Sequence, residues 1–245
     1  MINALGAAGR ARLHAHLQTS PLLAFDFDGT LAPIVPLPAA AGLPETTRVL
    51  LSSLLLQRPC VVLSGRSRTD VMRRLAGLPF AEVIGNHGSE PWLDLVPLAD
   101  FVRQAIPLLR AGLKGLVGVE VEDKGTSISV HYRRAFQRRR AIGRIRALGR
   151  QLHFGRIIPG KYVLNLLPPG ALDKGQGLLL AMGQLGCRSA VYIGDDTTDE
   201  RVFALPPQHG VLGIRVGYQR SSRASLFLRQ QRDIDPLLSL LYRLS

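Results

Sequence analysis

The chain has 245 residues, 46% of them hydrophobic and 20% charged, which is enough for one large domain or for one domain that carries a smaller inserted module. No apolar run is as long as a membrane span, and the first twenty residues lack the apolar core of a signal peptide, so we expect a cytoplasmic protein with no membrane contact. The formal net charge of +13 arises from 31 basic residues, of which only four are lysines, and it suits either a polyanion or a small anionic substrate.

Four short apolar segments along the chain each run into a polar cluster. They are LLAF before DFDGT, CVVL before Ser64-Gly65-Arg66, EVI before GNHGSE, and AVYI before GDDTTDE. Their length and composition predict strands, and helical stretches at about 45–57, 67–76 and 174–185 separate several of them. The alternation predicts an α/β fold with a Rossmann-like parallel sheet core. Because ligands of such sheets bind beyond the carboxyl ends of the strands, the four clusters should meet there.

Several residues of this core carry structural information. Ser67 and Asp70 predict a capping box at one helix start, and Asp173 predicts a cap for the helix that begins at Lys174. The two cysteines, Cys60 and Cys187, are interpreted as buried reduced thiols. Segment 33–44 contains four prolines and is predicted to be either a stiff loop or a flap beside the site.

The pattern changes between the third and fourth clusters. A helix near 98–113, a hairpin in GVEVEDKGTSISVHY, an arginine-rich helix at about 136–152 and a second hairpin turning at Pro159-Gly160 predict a small α+β module. We place this inserted cap at 93–170 and the core at 1–92 and 171–245. Apolar residues recur in the arginine-rich helix at nearly helical spacing, so its arginines are interpreted as an exposed face. No aromatic residue interleaves with the arginines from Arg138 to Arg150 in the way that stacks bases, so we expect no nucleic-acid partner.

The first cluster holds the most informative pair of residues. Asp26 and Asp28 follow a buried strand, where one carboxylate could attack phosphorus and the other could transfer protons. Such a reaction needs countercharge, for which Mg²⁺ is the usual source, and Asp195 with Asp196 would complete its ligand shell. Lys174 and Ser64 could hold phosphoryl oxygens. Each motif alone could be a loop or a turn, and DxD could be the metal clamp of a glycosyltransferase, but their order and strand-end placement favour phosphoryl transfer.

The order DxDGT, SGR, DKG and GDDxTDE resembles that of haloacid-dehalogenase-like (HAD-like) phosphatases with an inserted α+β cap. The stretches DFDGTLAPI, LSGR, GNHGSE, VEDKGTSISVHYR and GDDTTDE together resemble the trehalose-6-phosphate phosphatases, from about residue 20 to 240. The resemblance implies a Mg²⁺-dependent phosphatase that hydrolyses a small sugar phosphate, trehalose 6-phosphate, to trehalose and phosphate through an aspartyl-phosphate intermediate. We expect it to be a monomer.

The resemblance also implies roles for individual residues. Asp26 would be the nucleophile and a Mg²⁺ ligand, Asp28 would be the acid/base and bind the metal through its carbonyl, and Asp195 would be the third protein ligand, with Asp196 and Asp199 nearby. Ser64 and Lys174 would bind phosphate. Substrate-binding residues would be Gly65, Arg66, His87 and Glu90 in the core, and Glu122, Lys124, Arg133 and Asn165 in the cap.

One stretch departs from the family pattern. Where the family usually has vElrP, this chain reads LNLLP, so that Asn165 replaces a sugar-contacting glutamate and Leu167 a basic residue. Asn165 can donate and accept hydrogen bonds but lacks charge. A phosphatase for another sugar phosphate, such as a glucosyl or mannosyl ester, is therefore the alternative, followed by a phosphomutase and by a basic polyanion-binding protein on an inactive phosphatase fold.

Overall fold

The structure is a computed structural model that describes residues 1–160 and 162–244 and, of Pro38, only the backbone. It divides into two compact units. Met1–Pro91 with Asp173–Ser245 forms the first, here called the core unit, and Trp92–Leu172 forms the second, here called the inserted unit.

Strands and helices alternate through the core unit, and the inserted unit contains both. The strands are β1 (Ile2–Asn3), β2 (Leu22–Asp26), β3 (Cys60–Leu63), β4 (Glu82–Ile84), β5 (Glu120–Asp123), β6 (Ile128–His131), β7 (Arg156–Gly160), β8 (Val163–Leu167), β9 (Ala190–Gly194), β10 (Val211–Val216) and β11 (Leu226–Leu228). The helices are α1 (Ala7–Leu17), α2 (Glu45–Leu55), α3 (Arg68–Leu75), α4 (Val96–Gly112), α5 (Arg138–Gln151), α6 (Lys174–Gln184), α7 (Glu200–Phe203) and α8 (Ile234–Leu244).

A parallel sheet forms the centre of the core unit. In the part of the chain that the structure describes, its strands lie in the order β1-β11-β10-β9-β2-β3-β4. The four strands expected from the sequence are β2, β3, β4 and β9, and they are consecutive neighbours, which confirms the predicted α/β fold. Asp26 at the end of β2 pairs in register with Leu63, so the first and second polar clusters begin side by side.

Helices cover both faces of this sheet. The cluster on one face joins α1, α2, α3 and α8 to the strands through residues such as Leu13, Leu51, Val71 and Leu237. On the other face Tyr192 of β9 packs edge-to-face against Phe203 of α7, with ring centroids 5.8 Å apart. Burial of both faces explains why these strands read as continuous apolar runs in the sequence.

An antiparallel sheet of order β5-β6-β8-β7 forms the inserted unit, within the described residues. One face packs against α4 and α5 through residues that include Val130, Leu164, Leu109 and Ile145. On the other face the register aligns Glu122, Ser129 and Asn165 in one row across three strands.

The second hairpin of this unit differs from its prediction. Pro159 and Gly160, expected to form the turn, belong to β7 and pair with Leu164 and Val163. Proline is tolerated there because β7 is an edge strand, on which one side needs no ladder hydrogen bond. Lys161, which follows, lies outside the described residues.

Two further structural predictions are corrected. Asp173 caps α6 as expected and does so in a reciprocal capping box with Gln176, whereas Ser67 and Asp70 form only half of the capping box expected of them. Ser67 Oγ accepts from the Asp70 amide at 3.3 Å, while the Asp70 carboxylate is held by two arginines. Both cysteines are free thiols, yet only Cys60 is buried; Cys187 lies in the loop between α6 and β9 and is half-buried.

Segment 33–44 is a loop that contains a 3-10 turn at Pro38–Ala40.

None of the helices that the structure describes is long and apolar enough to cross a bilayer.

Candidate active site

A buried charge cluster lies at the carboxyl ends of β2 and β9. Lys174, the first residue of α6, donates from Nζ to Asp26 Oδ1 at 2.5 Å and to Asp199 Oδ1 at 2.7 Å. All three side chains are almost completely buried. Burial alone would lower the pKa of Lys174, but the charges of Asp199 and Asp26 outweigh it and raise that pKa, so the ammonium stays charged. The Asp173 capping box fixes the helix turn from which Lys174 projects.

Asp195, just after β9, adds a third carboxylate to this cluster. One oxygen each from Asp26, Asp195 and Asp199 lie within 4.8 Å of one another. Burial, together with the charges of Asp199 and Asp196, raises the pKa of Asp195 to about 7. Burial also raises the pKa of Asp26 well above its usual value, although Lys174 opposes this. With all groups ionised, three carboxylates and one ammonium leave a buried charge of −2, which a divalent cation would neutralise.

The hydrogen bonds show which carboxylates are free to bind a cation. Asp199 is fully used: Oδ1 accepts from Lys174 and from the Tyr192 hydroxyl at 2.7 Å, and Oδ2 accepts from the Asp196 amide at 2.8 Å. Asp195 Oδ1 is buried and has no hydrogen-bond partner within the described residues. An oxygen ligand set with an unsatisfied carboxylate fits Mg²⁺. Asp26 and Asp195 would hold the ion, while Asp199 holds Lys174.

The sequence did not predict the roles of two residues near this cluster, Asp199 and Tyr192. It paired Asp196 with Asp195 as a metal ligand, but the Asp196 carboxylate accepts from Thr197 at 3.0 Å, and its place in the cluster is taken by Asp199. The reason is the chain turn after β9, which directs Asp199 inward. Tyr192 was missed because an aromatic residue inside a strand reads as ordinary core.

Gly29 allows the chain after β2 to approach this cluster. Its φ is +86°, in the left-handed region that glycine adopts without strain, and a Cβ there would overlap the Asp195 carboxylate. The glycine of the DxDGT motif is therefore required for space as well as for backbone conformation.

Asp28 is not part of the lysine cluster but forms an ion pair with Arg66. Arg66 donates from Nε and Nη2 to the two Asp28 oxygens at 2.6 and 2.7 Å, and from Nη1 to Asp70 at 3.0 Å. Asp70 also accepts from Arg74, which in turn donates to the carbonyls of Ala39 and Ala41 in the proline-rich loop. The bidentate ion pair between Arg66 and Asp28 fixes the orientation of the Asp28 carboxylate.

Ser64, Gly65, His87 and Glu90 lie at the ends of β3 and β4. Ser64 is buried, its Oγ accepts from the Arg66 amide at 3.1 Å, and its carbonyl accepts from the His87 amide at 2.9 Å. A Cβ at Gly65 would contact the His87 imidazole, so that ring lies directly against the SGR turn. Glu90 Oε2 accepts from the Arg68 amide at 2.5 Å and thus anchors the start of α3.

The remaining predicted residues lie in the inserted unit. Glu122 accepts from Lys124 Nζ at 2.5 Å and lies 2.8 Å from His131 Nε2. The hydrogen bond from His131 outweighs partial burial and, with Lys124, lowers the pKa of Glu122 to about 2. Asn165 is buried, and its Oδ1 accepts from Ser129 Oγ at 2.7 Å. Arg133 lies apart from them, beyond the other end of β6, and stacks on Tyr162 with its guanidinium carbon 5.3 Å from the ring centroid.

Comparison with known proteins places this arrangement in a family. The family model described as trehalose-phosphatase matches residues 24–231. The chain belongs to the trehalose-phosphatase family. It is 37% identical over 206 residues to the trehalose-phosphate phosphatase of Mycobacterium tuberculosis, an alignment that covers 78% of this chain and 52% of that protein. It is 35% identical over 209 residues to the trehalose-phosphate phosphatase of Mycobacterium ulcerans, covering 78% of this chain and 53% of that one.

Solved structures show the same fold as this trehalose-phosphatase family member. The C-terminal domain of a C. albicans trehalose-6-phosphate phosphatase superposes with a TM-score of 0.79 at 21% identity, covering 100% of this chain and 99% of that one. An Aspergillus fumigatus trehalose-6-phosphate phosphatase superposes with a TM-score of 0.71 at 23% identity, with both chains covered completely (100%). The chain nevertheless spans about half the length of the curated mycobacterial relatives it matches.

Proposed function

We propose that this trehalose-phosphatase family member removes phosphate from trehalose 6-phosphate, yielding trehalose, in a Mg²⁺-dependent reaction in the cytoplasm. The observation that carries the proposal is the buried cluster of Asp26, Lys174 and Asp195 at the strand ends of a chain matched by the family model. The name of the mycobacterial relatives supplies the substrate. The free thiols of Cys60 and Cys187 agree with a reducing compartment.

The proposed reaction has two steps. In the first, a carboxylate oxygen of Asp26 attacks phosphorus, the bond between phosphorus and the sugar oxygen breaks, and Asp28 gives its proton to that oxygen. In the second, Asp28 takes a proton from a water molecule as the water oxygen attacks phosphorus, which releases phosphate and restores Asp26. Lys174 and Ser64 bind the phosphoryl oxygens in both steps.

Countercharge is the main electrostatic requirement of this reaction, because an anion must approach a phosphate dianion. Lys174 contributes one positive charge that is held in place by Asp199. Mg²⁺ bound by Asp26 and Asp195, with the Asp28 carbonyl as the third protein ligand, would supply the rest.

We assign sugar recognition to the inserted unit, with the cap at 93–170 and the core at 1–92 and 171–245. The support is the polar row of Glu122, Ser129 and Asn165 on the sheet face opposite α4 and α5. Glu122 is held ionised by Lys124 and His131 and could accept hydrogen bonds from sugar hydroxyls. Gly65, His87 and Glu90 would bind the substrate from the core unit, and Arg133 from the cap, while Arg66 is committed to Asp28.

The proposal is tested by phosphate release from trehalose 6-phosphate by the full chain as a monomer, with Mg²⁺ and with a chelator. Asp26→Asn should lower kcat at least about a thousandfold because the amide cannot attack phosphorus, while the far-UV spectrum and melting temperature stay near those of the wild type. Asp100→Asn, an exposed partner of Arg103 on α4, is the matched control and should keep full activity. Substantial turnover by Asp26→Asn would overturn the nucleophile assignment.

A phosphatase for another sugar phosphate is the second candidate, and Asn165 favours it. Its side-chain oxygen already accepts from Ser129, so one acceptor lone pair and the amide NH₂ are left for a sugar, whereas a glutamate would offer a charged carboxylate. A panel of phosphorylated disaccharides and monosaccharides, such as glucosyl and mannosyl esters, decides between the two. Asn165→Glu should raise kcat/KM for trehalose 6-phosphate relative to the other esters by about tenfold. Unchanged selectivity in Asn165→Glu would contradict this role for residue 165.

A further inference from the structure

Positive charge is concentrated in the inserted unit. Residues 92–172 hold fourteen basic side chains and five acidic ones, which is a net +9 of the total +13 in one third of the chain. Residues 124–172 contain no acidic residue at all. Eight arginines lie between positions 133 and 150, and among the described residues only Arg134 has a carboxylate within ion-pair distance, Glu120 at 3.6 Å. The phosphatase chemistry uses none of the arginines of α5.

Two of the most exposed large apolar side chains of the described residues lie among these cations. Phe136 is 88% exposed and Val117 is 78% exposed, and the Phe136 amide donates to the Val117 carbonyl at 3.4 Å, which holds the two loops together. Beside them is a cavity of about 280 Å³ lined by residues that include Lys114, Leu116, Val117, Phe136, Arg140 and Ala141. A single exposed apolar residue is ordinary, but Phe136 and Val117 lie together beside a cavity and among cations, which is typical of an interaction site.

The cations around Phe136 are available to a ligand. The side chains of Arg139 and Lys114 make no hydrogen bond or ion pair with any residue that the structure describes, and both are exposed. Arg138 stacks on the partly exposed Tyr162, with its guanidinium carbon 5.0 Å from the ring centroid. The surface formed by Lys114, Val117, Phe136, Arg138, Arg139 and Tyr162 is called the basic-aromatic surface below.

Three kinds of partner could bind such a surface, and the observations favour one. Nucleic acid would use the arginines but has little use for an aliphatic side chain beside a single phenylalanine. A second copy of this chain is disfavoured because both copies would carry the same large positive charge. An anionic bilayer uses both features, since arginines attract its headgroups while phenylalanine and valine enter the boundary of the acyl chains. Tyrosine is also typical of that boundary.

We propose that the basic-aromatic surface binds anionic lipid membranes peripherally, with Phe136 and Val117 inserted between headgroups. This replaces the expectation, drawn from the lack of an apolar span, that the chain makes no membrane contact. This binding is separate from the proposed phosphatase activity and would hold a water-soluble reaction at a membrane surface. No residue of the basic-aromatic surface belongs to the cluster around Asp26.

Co-sedimentation of the full chain with lipid vesicles tests the proposal. One vesicle type is phosphatidylcholine alone, and the other contains about one third phosphatidylglycerol, an anionic lipid. The wild type should sediment with the anionic vesicles only, and less so as salt is raised, because exposed charges are screened. Phe136→Ser and Arg139→Gln should each weaken partitioning about fivefold, through loss of apolar insertion and of one cation respectively.

Matched controls distinguish binding through this surface from non-specific binding to vesicles. Leu56→Ser removes a comparably exposed apolar side chain just after α2 of the core unit. Arg232→Gln removes an exposed cation just before α8 of the same unit, and both variants should bind like the wild type. Each variant is first checked for an unchanged melting temperature. Equal binding to both vesicle types, no vesicle binding, or anionic binding that Phe136→Ser leaves unchanged would each overturn the proposal. Binding to a single-stranded RNA in preference to vesicles would replace the lipid with nucleic acid.

Discussion

At the scale of single residues, the ion pair between Arg66 and Asp28 gives one side chain a role that the family resemblance does not. The resemblance implies that Arg66 binds substrate, yet the structure places its Nε and Nη2 on both oxygens of Asp28. Since the proposed reaction needs Asp28 aimed at the leaving oxygen, Arg66 is a positioning residue for the acid/base. Asp70, bound to Arg66 Nη1 at 3.0 Å, holds the guanidinium in turn.

Leaving-group dependence tests this role. Arg66→Ala should lower kcat for the sugar phosphate by about a hundredfold, because an alkoxide must be protonated as it departs. It should lower kcat for p-nitrophenyl phosphate much less, because nitrophenolate leaves without a proton. Rates are measured for both esters in the wild type, in Arg66→Ala and in Arg68→Ala, whose side chain pairs with Glu82 and serves as the control. A parallel rise in KM for both esters, with kcat unchanged, would instead assign Arg66 to phosphate binding.

At the scale of secondary-structure elements, the start of α6 links folding to the site. Asp173 Oδ1 accepts from the Gln176 amide at 3.0 Å, and the Gln176 side chain accepts from the Asp173 amide at 3.2 Å. Lys174 is the next residue, so the cap determines where the ammonium lies relative to Asp26 and Asp199.

Removing this cap should therefore change both stability and activity. Asp173→Ala should lower the free energy of unfolding by about 1 kcal/mol, the usual cost of losing an N-cap, and also lower kcat. Asp173→Asn keeps a side-chain oxygen at the cap and should retain most of both quantities. Urea denaturation and phosphate release measure them. If Asp173→Ala and Asp173→Asn behaved alike, the charge of Asp173, and not its capping bond, would be what matters.

Elements also show how far the sequence alone could predict the molecule. Strands β2, β3, β4 and β9 were predictable because each is an apolar run that ends in a polar cluster. Strands β1 and β11 were not predicted. β1 has only two residues, and β11, although as long as β4, is not followed by a recognisable motif. At the site, Asp26, Lys174 and Asp195 were found from their motifs. The hydrogen bond of Tyr192 to Asp199 joins a strand interior to a loop and depends on a chain turn that residue patterns do not encode.

At the scale of the whole molecule, the charge buried around Asp195 couples folding stability to pH and to metal. In the folded, metal-free chain the pKa of Asp195 is raised to about 7, whereas the unfolded chain has the ordinary value of 3.8. The folded state therefore holds this proton more tightly than the unfolded state. The stabilisation is complete below the unfolded pKa and is lost as pH rises through about 7.

Thermal unfolding in the presence of a chelator should show this loss. The melting temperature of the wild type should fall by about 5 °C or more between pH 5 and pH 8, and Asp195→Asn should remove most of that fall because the amide does not ionise. Adding Mg²⁺ at pH 8 should raise the wild-type melting temperature, since the ion binds the folded chain and neutralises the cluster, but not that of Asp195→Asn. Asp235→Asn, which alters a carboxylate that accepts from Thr46 and Thr47 far from the cluster, is the control and should keep the response to Mg²⁺. A wild-type chain whose metal-free stability rises from pH 5 to pH 8 would contradict the buried negative charge on which the proposed metal site depends.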